Sequence, residues 1–358
     1  MALWLAVAGA AAADRFDDWD QDKNGRLTRE ELPAGLRKNF EAVDADRSGF
    51  ITRAEHEAFL GRNRGRRDPA VRDAEIRVLP DLAYAGGGNP RQTLDLFLPK
   101  AQSDQRRPLV VFIHGGGWQK GSKQGALGRL RGLLAGGRYA GAAINYRLTD
   151  EAAWPAQIHD CKAAIRWLRA HAGDYGYDPE KIAVWGTSAG GHLAAALGVT
   201  GDVKALEGAL GAHGDVPSSV ACVVNYFGPS NLLTMDDHES SIEHNAPGSP
   251  ESKLLGGPVQ DVKAAAREAS PATHVSQGDA PMLIAHGTRD RLVPFPQSED
   301  LAARLREAGV PVYLVKMVDA GHGFRSPELD RRVAAFLAKY LRGDDDSAIA
   351  TSPIPPGR

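Results

Sequence analysis

The chain contains 358 residues, of which 42% are hydrophobic and 25% are charged, and its formal net charge at pH 7 is -2. This length allows one large globular domain and a small one. The nearly neutral charge gives no reason to expect a nucleic acid or an anionic membrane as partner, and no apolar run is long enough for a membrane span. Cys161 and Cys222 lie in apolar segments, which predicts two buried free thiols.

Residues 1–13 are almost entirely apolar and end in an alanine-rich stretch. This pattern is typical of the hydrophobic part of a secretory signal before a small-residue cleavage site, although no Lys or Arg stands at its start. We therefore expect a signal peptide and export to the periplasm or the extracellular space. A stray apolar helix start, or a start codon placed too late, is the alternative.

Residues 14–60 contain an internal repeat, in which the segment that begins at Phe16 aligns with the segment that begins at Phe40. Each copy fits the twelve-residue EF-hand loop, which has oxygen side chains at positions 1, 3 and 5, glycine at 6, a backbone carbonyl at 7 and glutamate at 12. The predicted Ca²⁺ ligands are Asp20, Asp22, Asn24, the Arg26 carbonyl and Glu31 in the first loop, and Asp44, Asp46, Ser48, the Phe50 carbonyl and Glu55 in the second.

The two loops are expected to form one unit. Leu27 and Ile51 are the apolar residues at position 8, through which paired EF-hand loops usually bridge. A pair of acidic turns on a solvated face is the alternative, but two loops in register resemble EF-hand proteins specifically. Cleavage after Ala13 would leave a short first helix. Neither loop contains residues that could catalyse the making or breaking of a covalent bond, so we expect a structural or tethering module.

The arginine-rich segment 61–77 lacks hydrophobic periodicity and is predicted to be a linker to a second domain at 78–342. This domain begins with a predicted hairpin of half-exposed strands. Buried strands then alternate with amphipathic helices, which predicts the α/β class with a mostly parallel sheet covered on both faces. The predicted strands are 79–84, 93–98, 109–113, 140–146, 182–185, 220–227, 281–286 and 312–318, and the predicted helices include 125–134, 155–168, 301–308 and 329–341.

Two segments depart from this alternation. Residues 229–272, which we call the cap segment, are polar, irregular and rich in proline and glycine, so we expect them to cover the functional site. Residues 343–358 are acidic and then proline-rich, and are expected to form a disordered tail.

A serine lies in a glycine-containing turn between a predicted strand and a predicted helix. The strand 182–185 leads into Gly-Thr-Ser-Ala-Gly at 186–190, and good helix formers follow. Glycines on both sides of Ser188 allow a tight turn, which would lift the hydroxyl above the sheet edge at the positive end of the helix. The pattern alone is a weak signal, so its meaning depends on its surroundings.

A serine nucleophile needs a base within hydrogen-bond reach and a third group that orients this base. Asp290 directly follows the strand 281–286, and His322 follows the strand 312–318 between two glycines. Loops at the carboxyl ends of parallel strands meet at one edge of the sheet. Each residue alone could be a turn former or a surface histidine. Their chain order after Ser188 is that of α/β-hydrolases, which favours a catalytic role.

The sequence His-Gly-Gly-Gly-Trp at 114–118 follows the central strand 109–113. Its glycines would allow the backbone to approach the nucleophile and to direct N–H groups at the oxyanion of a tetrahedral intermediate, and the N–H of Ala189 supplies another donor. A phosphate-binding loop is the functional alternative, but no Gly-Lys-Ser/Thr sequence follows with Walker spacing.

Together these motifs resemble the α/β-hydrolase superfamily, and within it the hormone-sensitive-lipase and carboxylesterase group. The combination of the motifs at 114–118, 186–192 and 321–324 is similar to that of bacterial acetyl-xylan and feruloyl esterases. The resemblance implies Ser188 as nucleophile, His322 as base and Asp290 as the orienting carboxylate. It further implies an oxyanion hole formed by the N–H groups of Gly116, Gly117 and Ala189. His114 is then the residue that holds the loop around this hole, and Trp118 is a substrate-binding residue or an alternative N–H donor to the oxyanion.

The residues and the resemblance predict an exported serine carboxylic-ester hydrolase that acts through an acyl-enzyme on short-chain or carbohydrate-linked esters of the acetyl or feruloyl type. The expected partner is a small-molecule or polysaccharide ester, and no cofactor is expected for catalysis. Two alternatives stay open. One is a prolyl-oligopeptidase-like peptidase, which shares the serine motif and the His-Gly-Thr-x-Asp ending. The other is a non-catalytic, calcium-dependent binding protein on a hydrolase scaffold.

Overall fold

The computed structural model of the protein describes residues 16–32, 37, 40–46, 48–56, 75–101, 103, 105–344 and 348–356. The chain divides into two compact units, Met1–Ala74 and Glu75–Arg358. The predicted signal segment 1–13, and the predicted linker up to residue 74, lie outside the described residues. Among the described residues, no helix combines the length and the hydrophobicity of a membrane span.

Short helices and strands make up the described part of the first unit. In chain order they are α1 (Phe16–Trp19), β1 (Arg26–Leu27), α2 (Phe40–Val43) and β2 (Ile51–Thr52). The two strands pair antiparallel with Leu27 opposite Ile51, which confirms the predicted bridge between the loops. A small apolar core packs beneath them, formed by Phe16, Leu27, Leu32, Phe40, Val43 and Ile51.

The second unit is built on an eight-stranded sheet. Its strands are β3 (Ile76–Ala83), β4 (Thr93–Pro99), β5 (Arg107–Ile113), β6 (Ala140–Ile144), β7 (Tyr177–Thr187), β8 (Cys222–Tyr226), β9 (Met282–Gly287) and β10 (Val312–Met317). Across the sheet the order is β10-β9-β8-β7-β5-β6-β4-β3. The pairs β3–β4 and β4–β6 are antiparallel and the other pairs are parallel, as the hairpin and the strand-helix alternation predict.

Helices connect the strands and cover the sheet. They are α3 (Ala126–Leu134), α4 (Ala156–Ala170), α5 (Ala172–Tyr175), α6 (Ala189–Val199), α7 (Pro250–Leu255), α8 (Lys263–Glu268), α9 (Pro296–Glu307) and α10 (Pro327–Arg342). Proline opens α7, α9 and α10, where its missing N–H costs no intrahelical hydrogen bond. Pro155 precedes α4 instead of standing inside its first turn.

The sheet is buried on both faces, which explains the continuous apolar run of its central strand. Leu109, Val111 and Ile113 of β5 belong to one core, together with residues of α4, α6 and α9. Val110 and Phe112 belong to a second core, together with residues of α3 and α10. Successive side chains of a strand point to opposite faces, so each face needs its own helical cover. Cys161 and Cys222 are buried and free, as predicted.

The cap segment is more regular than its composition indicates. It contains a 3₁₀ helix at Leu232–Asp237, α7 and α8, and a second 3₁₀ helix, Pro271–Thr273, begins at its end. The polar, glycine-rich and proline-rich sequence reflects short helices with frequent caps and turns, because each helix end needs such residues.

The expectation of a disordered tail is wrong for residues 348–356. The N–H of Ile354 donates to the carbonyl of Lys316 at 2.9 Å, and the carbonyl of Ile354 accepts from the N–H of Val318 at 2.9 Å. The guanidinium of Arg332 donates to the carbonyls of the tail residues Ala350 and Ser352. An edge strand such as β10 offers unpaired backbone groups, and the tail satisfies some of them.

Candidate active site

Ser188 occupies the sharp turn between β7 and α6. Its backbone angles, φ 54° and ψ -125°, are rarely adopted by residues that carry a side chain. A Cβ at Gly186 would lie 1.9 Å from the carbonyl oxygen of Gly190, and a Cβ at Gly190 would lie 2.2 Å from that of Ile113. Glycine is therefore required on both sides of the serine, and the turn holds the Ser188 hydroxyl at the carboxyl edge of the sheet.

The structure brings together the three side chains that the sequence predicts as a triad. Nε2 of His322 lies 2.9 Å from Oγ of Ser188, and Nδ1 of the same ring lies 2.7 Å from Oδ2 of Asp290. An ionised carboxylate only accepts hydrogen bonds, so Nδ1 carries the proton and Nε2 is left to accept from the serine hydroxyl. In this arrangement a base can activate a serine.

Asp290 is buried and surrounded by donors. Its Oδ1 accepts from the backbone N–H groups of Leu292 at 2.8 Å and Val293 at 3.0 Å. Burial raises the pKa of Asp290, but hydrogen bonds from the rings of His286 and His322 and the N–H of Val293 outweigh it. The pKa of Asp290 therefore lies well below its ordinary value, and the carboxylate stays ionised at neutral pH.

His286 contacts the same carboxylate. Its Nε2 lies 3.2 Å from Oδ2 of Asp290 and 2.9 Å from the carbonyl oxygen of Val293, and its Nδ1 lies 2.7 Å from the hydroxyl of Ser298. Both neighbours of Nε2 are acceptors, so Nε2 carries the proton and Nδ1 accepts from Ser298. From the sequence His286 is interpreted only as a packing or supporting residue in a strand. Its four-residue separation from Asp290 is a signal that could have indicated the contact.

The glycine-rich loop after β5 passes beside the nucleophile. A Cβ at Gly115 would lie 2.6 Å from the carbonyl oxygen of Thr187 and 3.1 Å from Cβ of Ser188, so a side chain at this position would collide. His114 holds the loop: its Nδ1–H donates to the carbonyl of Gly115 at 2.8 Å, and its ring stacks on Tyr146 at 4.4 Å. Burial lowers the pKa of His114 to about 4, which keeps the ring neutral at pH 7.

The backbone around Ser188 offers the N–H groups that an oxyanion requires. Gly116 and Gly117 have φ values of 118° and 60° and line the same cavity as Ser188 and Ala189. The N–H groups of Gly116 and Gly117 donate to no residue within the described ranges. Ala189 is the first residue of α6, where the N–H has no intrahelical acceptor. These three groups are thus available as donors.

Trp118 contributes to the cavity wall but offers little surface to a substrate. The residue is 1% exposed, and its ring packs edge-on against His192 at 5.1 Å. Nε2 of His192 lies 2.6 Å from the carbonyl oxygen of Ala269, and burial lowers the pKa of His192 to about 4. The ring of Trp118 therefore acts mainly as packing between the loop and α6.

A cavity of about 520 Å³ opens beside Ser188 and His322. Phe227, Leu292 and Val293 form apolar parts of its wall, and the cap segment contributes residues as well. A pocket of this size with few polar groups is typical of small-ligand sites. The cap segment thus borders the candidate active site.

The BD-FAE family model matches residues 94–305. This stretch contains Ser188 and Asp290 and spans more than half of the chain. The chain belongs to the BD-FAE family of α/β-hydrolase esterases. Membership agrees with the fold class and the resemblance that the sequence predicts.

Relatives of this BD-FAE protein include esterases. Esterase LipC from Mycobacterium tuberculosis is 31% identical over 263 residues, which cover 72% of this chain and 64% of that protein. The chain thus spans less than two thirds of the length of this relative. A structure described as a truncated form of carbohydrate esterase from gut microbiota has a TM-score of 0.69 and 31% identity, covering 74% of this chain and 96% of that chain.

One relative is a peptidase. Dipeptidyl aminopeptidase BIII from Pseudoxanthomonas mexicana is 29% identical over 263 residues, which cover 68% of this chain and 34% of that protein. The chain is thus similar to a protein named as a peptidase as well as to proteins named as esterases. The alternative of a peptidase therefore needs a direct test.

The first unit brings together the acidic residues predicted as metal ligands. An EF-hand family model matches residues 36–60. Ligand atoms from three carboxylates lie within 4.8 Å of one another in each loop, namely those of Asp20, Asp22 and Glu31, and those of Asp44, Asp46 and Glu55. In the first loop Glu31 accepts from the N–H groups of Gln21 and Thr28 across the loop. The hydrogen bond from the N–H of Thr28 lowers the pKa of Glu31.

This donor set fits Ca²⁺, because carboxylate oxygens are hard ligands of the kind that the ion prefers. The other predicted ligands make hydrogen bonds within their own loops. Oδ1 of Asn24 accepts from the N–H of Arg26 at 2.8 Å, and the hydroxyl of Ser48 donates to the carbonyl of Phe50 at 3.0 Å. Their role as ligands therefore stays a prediction.

Proposed function

We propose that the second unit is a serine carboxylic-ester hydrolase that acts through an acyl-enzyme. The observation that carries this proposal is the 2.9 Å contact between Nε2 of His322 and Oγ of Ser188, with Asp290 on the other ring nitrogen. Membership of an esterase family supports it.

In the first step, Oγ of Ser188 attacks the ester carbonyl carbon while Nε2 of His322 takes the hydroxyl proton. Negative charge develops on the carbonyl oxygen, which the N–H groups of Gly116, Gly117 and Ala189 stabilise. The carbon–oxygen bond to the alcohol then breaks, and His322 gives its proton to the leaving alcohol. Water then attacks the acyl carbon while His322 takes a proton from it. The bond from this carbon to Oγ of Ser188 breaks, and His322 returns the proton to Oγ as the acid is released.

We further propose short-chain or carbohydrate-linked esters of the acetyl or feruloyl type as substrates. The cavity of about 520 Å³ is of the size that holds small ligands. A related structure described as a carbohydrate esterase supports an alcohol of the carbohydrate class.

The decisive experiment combines active-site labelling with turnover. We expect a fluorophosphonate probe to label Ser188, and p-nitrophenyl acetate to be hydrolysed. Ser188→Ala should lose both labelling and turnover while its melting temperature stays that of the native protein. Ser103→Ala, a change of an exposed serine, should keep both labelling and turnover. A screen of p-nitrophenyl esters of rising chain length, acetylated xylan and methyl ferulate then sorts the substrates.

The same preparation separates the two alternatives. Cleavage of a dipeptidyl p-nitroanilide with a kcat/KM above that for p-nitrophenyl acetate would show a peptidase. Absence of labelling and of turnover with every substrate would show a non-catalytic binding protein.

For the first unit we propose a pair of calcium-binding EF-hands with a structural or tethering role. The clustered carboxylates of both loops and the EF-hand match support it. Export of the protein remains our proposal from the apolar segment 1–13, and detection of the protein in the periplasmic or extracellular fraction of the native cell would test it.

A further inference from the structure

A carboxylate that the ester chemistry does not use lies in the wall of the cavity beside Ser188. Glu251, the second residue of α7, is 3% exposed and lines this cavity together with Ile242 and Pro250. No lysine or arginine in the described part of the chain forms an ion pair with Glu251. A buried carboxylate without a cationic partner needs hydrogen-bond donors to offset the loss of its hydration.

The protein supplies only an incomplete partner for this carboxylate. Nδ1 of His244 lies 3.0 Å from Oε2 of Glu251, but the two groups are not aligned as a hydrogen bond. His244 is itself 1% exposed, and its Nε2 lies 3.0 Å from the hydroxyl of Ser240. The histidine therefore lies against the carboxylate without donating a hydrogen bond to it.

The second carboxylate oxygen remains open. Oε1 of Glu251 accepts no hydrogen bond from the described residues and, unlike Oε2, is not sealed from solvent. Because Glu251 borders the cavity, a ligand that enters it would meet this oxygen. The ligand must then carry a hydrogen-bond donor.

The surroundings favour a neutral donor. Lys120 lines the same cavity and has no acidic partner in the described ranges. An ammonium group on the ligand would meet the like charge of this lysine, whereas a hydroxyl group would not. Phe227 and Leu292 add apolar surface that suits the carbon face of a ring.

We propose that Oε1 of Glu251 accepts a hydrogen bond from a hydroxyl group of the substrate. The enzyme thereby selects esters whose alcohol carries further hydroxyl groups, as carbohydrates do. This inference rests on the proposed ester hydrolysis and adds to it the residue that chooses the alcohol. An ester whose alcohol carries no further hydroxyl group would displace water from Oε1 without replacing the hydrogen bond that the water made. Its kcat/KM is therefore lower.

The test compares a monoacetate of methyl xylopyranoside with cyclohexyl acetate, which has a ring of similar size but no hydroxyl group. For the native protein we expect kcat/KM for the sugar ester to be about 10- to 100-fold higher, the value of one hydrogen bond to a charged group. Glu251→Leu should abolish most of this preference through a raised KM for the sugar ester. Glu251→Gln, which keeps a neutral acceptor, should have an intermediate preference.

Glu243→Gln is the matched control, because Glu243 is an exposed glutamate of the same segment, and its preference should equal that of the native protein. Equal use of both acetates by the native protein, or an unchanged preference in Glu251→Leu, would overturn the inference. A preference for trans-4-aminocyclohexyl acetate over trans-4-hydroxycyclohexyl acetate would overturn it as well. If the variants do not fold, the ratios of kcat/KM measured on the native protein alone test the inference. Loss of all turnover, including that of p-nitrophenyl acetate, would instead refute the proposed function.

Discussion

Nε2 of His286 donates a hydrogen bond to Oδ2 of Asp290 over 3.2 Å, and the same oxygen also accepts from His322. The ring of His286 is completely buried in β9, and its other nitrogen accepts from the hydroxyl of Ser298. Asp290 is thus held by a second histidine, whose Nε2–H faces the carboxylate and the carbonyl of Val293. We infer that His286 is a positioning residue for the base.

Replacement of His286 tests this role. His286→Leu removes a donor from the Asp290 carboxylate, which becomes more basic and stabilises protonated His322 more strongly. We expect kcat/KM for p-nitrophenyl acetate to fall about 10-fold and the acidic limb of its pH dependence to move to higher pH. His238→Leu, a change of an exposed histidine, is the control. A pH profile that coincides with that of the control would mean that His286 only fills space.

Asp290→Asn should reduce kcat by about 10⁴-fold. The amide would present its NH₂ group to Nδ1 of His322 and favour the tautomer with the proton on Nε2, which can no longer accept from Ser188. Steady-state hydrolysis of p-nitrophenyl acetate measures this loss. Asp300→Asn, which changes a partly exposed partner of Arg304, should behave as the native protein. A loss of less than tenfold in Asp290→Asn would contradict the proposed triad.

Two buried neutral histidines predict a loss of stability in mild acid. Burial lowers the pKa values of His114 and His192 to about 4 in the folded protein, whereas an unfolded histidine has a pKa of about 6.5. Between these values the unfolded state binds more protons, so the free energy of unfolding falls as the pH falls through this window. The stabilisation that Asp290 contributes is present above its ordinary pKa and is lost only at more acidic pH.

Urea unfolding at pH 7.5 and pH 4.5 measures this effect. We expect each histidine to contribute roughly 2 to 3 kcal/mol to the difference. His192→Gln should be less stable than the native protein at pH 7.5 but should lose less stability on acidification, whereas His238→Gln should follow the native protein. An equal loss in all three proteins would show that these rings do not drive the change.

Adjacent glutamates in the first loop provide a matched pair for the calcium proposal. Glu31 closes the cluster of carboxylates, whereas Glu30 is exposed and lies outside it. We expect Glu31→Gln to weaken calcium binding at this loop by on the order of tenfold or more, and Glu30→Gln to leave it unchanged. Titration calorimetry on metal-free protein checks this. Equal affinities in the two variants would exclude Glu31 as a ligand.

Removal of calcium should act on stability more than on catalysis. We expect a chelator to lower the melting temperature, because a metal that binds the folded loops stabilises them by mass action. Intrinsic turnover of p-nitrophenyl acetate at 25 °C should remain mostly intact. An immediate loss of turnover that calcium reverses would show that the metal shapes the active site.

Much of the fold could be predicted because its signals are local. Continuous apolar runs mark strands that are buried on both faces, and glycine on both sides of Ser188 marks a turn that excludes side chains. The boundaries were less exact: β7 begins at Tyr177, well before the predicted strand, because its early residues pair with Arg107 of a neighbouring strand. Such pairing depends on a partner that the local pattern does not contain.

The order of Ser188, Asp290 and His322 along the chain was sufficient to predict that they meet, because parallel strands deliver their following loops to one edge of the sheet. By itself the sequence thus determined the α/β class, the three-residue constellation and the pairing of the two acidic loops. Only the tertiary structure decided that His286 bonds Asp290, that Glu251 borders the cavity beside His244, and that the tail pairs with β10. These contacts join side chains and strand edges that follow no common periodicity in the sequence. Once such groups are buried, each polar group pairs with the partner that packing places within reach.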